Sequence, residues 1–194
     1  MPDAPAARSA RFDILLTGSP GPAVASTCSL VRDGDVAIVI DPGLAPSQAS
    51  LLTSLSELGM TATEVTDVVI SHHHPDHTLN VGLFPMARVH DHWAIYDFAG
   101  RWDSLPSEGR MLAPSVSLIR TPGHSAEDLS TVVGTPDGVV VFTHLWWTDA
   151  GPAEDPYAPD PAVLHASRAR VLAFADLIVP GHGAPFQPSA STPR

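Results

Sequence analysis

Apolar and polar positions alternate in short runs at the start of the chain, in "RFDILLTG" (11–18), "STCSLVRDG" (26–34) and "DVAIVIDPG" (35–43), each closed by Gly, Pro or Asp. Period-two alternation bounded by turn formers predicts strands joined by hairpins, so the chain opens on an antiparallel sheet. The period then changes: in "SQASLLTSLSELGM" (47–60) Leu51, Leu52, Leu55 and Leu58 recur at helical spacing, and Gly59 offers a C-terminal stop. "EVTDVVIS" (64–71) is a nearly continuous apolar strand. Further strands follow in "MARVHD" (86–91), "VSLIRTPGH" (116–124) and the pair within "DLSTVVGTPDGVVVFTH" (128–144), which folds back on the turn TPDG. "PAVLHASRARVLAFA" (161–175) predicts a second helix and "DLIVPGHG" (176–183) a last strand. Strands and helices in this order predict an α/β layered domain.

With 194 residues the chain suits one domain with a real core better than two. The Pro- and Ala-rich ends, 1–10 and 187–194, are expected to fray, which places the domain at 11–186. The net charge is −11, and all ten basic residues are arginine. That balance repels a phosphate backbone, so nucleic acid is an unfavoured partner. The missing lysine excludes a Walker loop and a Schiff base. Cys28 stands alone, which rules out an intramolecular disulfide and predicts a small buried hydrophobe. "MPDAPAARSA" lacks a signal-peptide core, and no run approaches the roughly 18 apolar residues of a membrane span. The expectation is a soluble, cytoplasmic protein without a membrane partner.

The chemistry concentrates in "SHHHPDH" (71–77), where four histidines and an aspartate occupy seven positions directly after an apolar strand. A tight loop leaving a strand end can aim neutral imidazoles and a carboxylate at one point, as a borderline cation such as zinc requires. An affinity tag would sit at a terminus, and this cluster is internal. Three more strand ends carry a histidine: His124 in "LIRTPGH", His144 in "VVVFTH" and His182 in "LIVPGH". Loops gathered at one edge of a sheet are a usual place for a site.

"HHHPDH", "TPGH" and "PGHG" in this order, with "VIDPG" upstream, resemble the metallo-β-lactamase fold superfamily over about residues 11 to 186. Within it, "LNVGLFP", "TPGHSAEDLS" and "SRARVLAFADLIVPGHGAPF" are similar to the subfamily of metallo-β-lactamase domain-containing protein one and its small bacterial relatives. The resemblance implies a four-layer αββα sandwich with the metal site at one edge of its two sheets. It implies that His72, His74 and His124 hold one metal, that Asp76, His77 and His182 hold a second, and that Asp41 orients a ligand imidazole. His73, between ligands, points away.

One block departs from the family. Where the family has Gly-Asp, with the aspartate bridging both metals, this chain has Thr143 and His144. A neutral imidazole offers one lone pair to one metal, so the usual bridge cannot form, and losing an anion is expected to weaken the second site. His144 is a terminal ligand or a packed strand-end residue, and Asp149 is a substitute carboxylate within reach along the chain. The resemblance implies a hydrolase with one or two zinc ions, iron or manganese being alternatives. Metal-bound hydroxide is its nucleophile and Asp76 anchors metal and nucleophile.

The family hydrolyses β-lactams, thioesters, lactones and phosphodiesters, and fold does not choose among them. The expected partner here is a small uncharged or cationic ester, lactone, thioester or related molecule. The aromatics of "HDHWAIYDFAGRWDSLPSEGRM" (90–111), Trp93 and Trp102 among them, with Trp146 and Trp147, form a pocket wall or lid near the metal, or else core or a homodimer interface. Three other readings stand beside the hydrolase: an iron-dependent oxidoreductase on the same fold, a phosphodiesterase or nuclease, and a metal-binding protein disabled at His144. "GHSAE" (123–127) falls short of a serine-hydrolase elbow because Glu127 replaces its closing glycine.

Overall fold

The computed structural model describes residues 4–194. β1 (Arg11–Leu16), β2 (Cys28–Asp33), β3 (Val36–Ile40), β4 (Asp67–Val69), β5 (Arg88–His90), β6 (Ala94–Tyr96) and β7 (Trp102–Ser104) lie side by side, in that order, in a seven-stranded sheet. A five-stranded sheet has the order β12 (Leu177–Pro180), β11 (Gly138–Thr143), β10 (Leu129–Thr135), β9 (Val116–Arg120), β8 (Met111–Ala113). Both are mixed, with parallel pairs β3–β4, β4–β5 and β11–β12.

The two-residue period of each strand divides its side chains between two cores. Val31, Ile38, Ile40 and Val69 of the first sheet meet Val116, Leu118, Leu129, Val133, Val140, Phe142 and Val179 of the second. On the outer face of the first sheet, Leu30, Val39 and Val68 pack on Leu51 and Leu55 of α1 (Gln48–Glu57). On the outer face of the second, Val132, Val141 and Ile178 pack on Leu164 and Val171 of α3 (Pro161–Leu172). The layers are therefore helix, sheet, sheet, helix, as the resemblance implied. Ser47 caps α1 by accepting from Ser50 N, and Asp160 caps α3 by accepting from Ala162 N. Cys28 is buried in the α1-side core, where burial pushes its thiol pKa upward.

Strand direction gathers the site. β3 and β4 are parallel, so Asp41 and residues 71–77 leave the first sheet at the same edge. β11 and β12 are parallel, and β9 runs with them because β10 is antiparallel to both β9 and β11. His124, His144 and His182 thus leave the second sheet together. Leu129 N donates to Ser71 O at 3.0 Å and Thr27 N to Gly181 O at 2.7 Å, tying the sheets at that edge.

Four elements were not predicted: β6, β7 and β8, each three residues long, and the four-residue helix α2 (Pro75–Thr78). Contacts reach into both ends that were expected to fray. Residues 1–3 lie outside the described residues, but Ala10 is buried with its N–H on Gly134 O, and Ser9 Oγ donates to Asp33 Oδ1 at 2.7 Å. At the other end Pro193 O accepts from Trp146 Nε1 at 2.8 Å. Among the described residues no helix is long and apolar enough to cross a membrane.

Candidate metal centre

The tight turn after β3 sets the geometry. Asp41 adopts a positive φ of 50°, and its carboxylate accepts from Ser71 N at 2.7 Å and from His77 Nδ1 at 2.9 Å. A side chain at Gly43 would place its Cβ 1.6 Å from Asp76 O, so only glycine lets this turn lie against α2. Leu44 N and Asn80 Nδ2 complete the clamp, donating to Asp76 O and Gly43 O at 3.0 and 2.6 Å. Pro75 opens α2 after an extended His74, so His72 and His74 project from the loop between β4 and α2 while Asp76 and His77 stand on the first helical turn.

Two groups of ligand atoms result. His74 Nδ1 lies 3.0 Å from His72 Nε2 and 3.1 Å from His124 Nε2. In the second group His144 Nε2 lies 3.0 Å from His182 Nε2, and Asp76 Oδ2 is 3.4 Å from His77 Nε2 and 3.6 Å from His182 Nε2. Gly181 makes room for the second group: a Cβ there would meet the His144 ring at 2.3 Å.

Outer hydrogen bonds decide which ring nitrogen is free. His77 Nδ1 donates to Asp41, His124 Nδ1 to Asp155 Oδ2 at 2.8 Å and His182 Nδ1 to Ala25 O at 2.8 Å. Each therefore turns its Nε2 toward the cluster. His77 Nε2 and His144 Nδ1 are buried without any hydrogen-bond partner. Converging Nε2 atoms, His77 Nε2 among them with no hydrogen bond of its own, are what a bound cation satisfies, so these residues fit a metal centre.

The electrostatics leave His72 and His144 neutral and Asp76 anionic, and make His77 a cation whose Nε2 proton a metal must displace. Burial, reinforced by neighbouring histidines, holds His72 and His144 far below the ordinary histidine pKa, leaving them neutral as ligands must be. For Asp76, burial works against ionisation, but the hydrogen bond and charge of His77 outweigh it and lower its pKa to about 2. Burial likewise opposes charge on His77, yet Asp41 and Asp76 raise its pKa to about 9.

All seven expected ligands, His72, His74, Asp76, His77, His124, His144 and His182, meet at this edge, with Asp41 behind His77. His73 points away as expected: its Nδ1 lies 2.9 Å from Glu127 Oε1 and its ring stacks on Trp93 at 5.0 Å. Asp149 is exposed in the turn that joins Thr148 to Gly151 and does not line the cavity, so it offers no substitute carboxylate.

A cavity of about 380 Å³ opens on the cluster through His74, Asp76, His124 and His182. Trp147 and Tyr157, stacked at 5.9 Å, form one wall, and Pro20, Gly21 and Val24 contribute the rest. The aromatic wall expected from sequence is corrected at three of four positions. Trp146 is fully buried under Arg168, in the core that packs on α3. Trp102 is 58% exposed on edge strand β7, stacked on Tyr96, and Trp93 is 52% exposed on His73. Only Trp147 lines the cavity.

Sequence reasoning missed Tyr157 and Asp155. Asp155 accepts from His124 Nδ1 and from Trp147 Nε1, both at 2.8 Å, joining a ligand to the cavity wall. Its other oxygen accepts from Tyr157 N at 2.9 Å, a local turn that Asp-Pro-Tyr could have signalled. Arg168 fastens the loop from behind, donating to Leu145, Pro152 and Ala153 carbonyls.

The sequence profile of the metallo-β-lactamase superfamily matches residues 21–187. Metallo-β-lactamase domain-containing protein 1 of Xenopus laevis is 34% identical over 166 residues, covering 79% of this chain and 69% of the relative. The Homo sapiens protein of that name is 39% identical over 162 residues, covering 77% of this chain and 59% of its own length. A solved metallo-β-lactamase-like protein of Thermotoga maritima superposes with a TM-score of 0.74 at 26% identity, covering 93% of this chain and all of that one, 100%.

Proposed function

Because this chain belongs to the metallo-β-lactamase superfamily, we propose that its histidine cluster holds one or two divalent metal ions, zinc foremost, and that it hydrolyses a small uncharged ester, lactone, thioester or related acyl compound. The observation that carries this reading is the convergence of His72 and His124 on His74 Nδ1, at 3.0 and 3.1 Å, where His74 and His124 line a cavity with an apolar, aromatic wall. The chemistry a zinc ion supplies here is hydroxide near neutral pH and polarisation of a carbonyl oxygen. The chain's own residues do the rest. Asp76 is anionic at neutral pH, since its pKa is lowered to about 2, and it faces the cavity ready to accept a hydrogen bond from a nucleophilic water and fix its direction. Trp147 and Tyr157 cover the floor, exclude bulk water and take the apolar part of the substrate. None of the described lining residues is arginine, the chain has no lysine and its net charge is −11, so the cavity favours an uncharged substrate over a phosphodiester.

A panel of neutral nitrophenyl esters and lactones, set beside a nitrophenyl phosphodiester and single-stranded RNA, tests the reading. Turnover of the neutral acyl compounds is expected, abolished by chelator and reduced at least 100-fold in Asp76→Asn. Metal-dependent cleavage of RNA with no acyl turnover would replace it with a nuclease, and iron content with oxygen uptake but no hydrolysis would replace it with an oxidoreductase.

A further inference from the structure

The ligand atoms divide unequally. The first group consists of three imidazoles, His72, His74 and His124, whose nitrogens close on His74 Nδ1 at 3.0 and 3.1 Å. The second gathers His77, His144 and His182 with the carboxylate of Asp76, through contacts of 3.0, 3.4 and 3.6 Å. His144 is close enough to serve either group. Its Nε2, however, stands against His182 Nε2, and Gly181, next to His182, leaves the space its ring fills. The orientation of the second group is already set. Asp41 fixes His77, the Ala25 carbonyl fixes His182, and His77 Nε2 is fully buried with the Asp76 carboxylate beside it at 3.4 Å.

Four protein ligands that fill a tetrahedron make a closed site, whereas three leave a position for water or substrate. We infer that the two sites are unbridged and divide the work: His77, His144, His182 and Asp76 form a closed, tightly binding site for a borderline divalent ion, and His72, His74 and His124 form the open, weaker and chemically active one. This inference rests on the metal-centre reading above. It reverses the expectation that replacing the bridging carboxylate weakens the second site. The imidazole that prevents bridging also completes a four-ligand shell, and the lone carboxylate beside three imidazoles suits zinc or cobalt rather than manganese.

The test is a cobalt and zinc titration of the whole chain after chelator dialysis, with cobalt absorption reporting coordination number and competition with a chromophoric chelator reporting affinity. Two equivalents are expected, the first at least tenfold tighter and with the intense absorption of four-coordinate cobalt. His144→Ala, with His144→Gln as a polar variant whose folding is checked by circular dichroism, should remove that first equivalent or weaken it at least tenfold. His124→Ala should remove only the second. An unchanged first equivalent in both folded His144 variants, or its loss in His124→Ala, would overturn the division. Failure of the parent chain to bind either ion would overturn the metal-centre reading itself.

Discussion

Asp155 holds a ligand and a wall at once. Its carboxylate accepts the proton of His124 Nδ1, which keeps Nε2 free, and also accepts from the indole of Trp147. An amide at this position can match only part of that pattern, so Asp155→Asn is expected to weaken metal binding at the His124 site about 10–100-fold. The competition titration checks this, and an unchanged affinity would contradict the role. Trp147→Phe keeps an aromatic wall but loses one donor, so it should raise KM for an apolar ester more than it lowers kcat. The histidine cluster was legible in sequence because histidines at strand ends are few and chemically distinctive. Asp155 was not, because a carboxylate in a Pro-rich loop looks like any turn residue until the fold brings it to His124. The tryptophans misled for a related reason: composition marks an indole as apolar, but only backbone direction decides whether it enters a core, like Trp146, or a cavity, like Trp147.

Among the elements, the turn after β3 and the helix α2 act as one unit. Gly43→Ala would drive a Cβ into the backbone of Asp76, with no flexible side chain to yield, so α2 must shift and carry Asp76 and His77 with it. A destabilisation of about 1–3 kcal/mol is expected in urea unfolding, together with loss of the tight metal equivalent. Retention of both stability and metal would show the contact to be slack. Longer elements were readable because they complete a period: β10 spans seven residues, α1 ten and α3 twelve. β4 and β5 are equally short but carry the apolar residues of "DVVI" and "ARVH", whereas β7 is exposed throughout and α2 lies in a histidine-rich run with no apolar repeat, so these two were seen only in the fold. The contacts at the ends are not visible in a Pro- and Ala-rich composition, because Ser9 and Pro193 meet Asp33, Ser115 and Trp146 only through the fold.

For the molecule as a whole, the histidines held below their ordinary pKa dictate an acid response. His72, His74, His90, His144 and His182 are all held below the ordinary histidine pKa, chiefly by burial, while His73 and His77 are raised by neighbouring carboxylates that outweigh it. Below about pH 6.5 the unfolded chain therefore takes up more protons than the folded one, and stability falls as pH falls. The melting temperature of the metal-free protein should drop steadily between pH 7 and pH 5, and that of the loaded protein more steeply, because protons also compete with metal for the ligands. A flat profile across that window would show that these histidines are not held neutral. The layer order, the common edge of the strand ends and the histidine cluster all serve one central claim, that this edge is a metal centre on which hydrolysis depends. The most direct measurement is elemental analysis of the chain purified without added metal, with ester hydrolysis followed in the same sample before chelation, after it and after zinc is restored. At least one equivalent of transition metal is expected, with activity lost alongside the metal and recovered with zinc. A metal-free protein that hydrolyses the ester at full rate, or metal whose removal leaves the rate unchanged, would contradict the account.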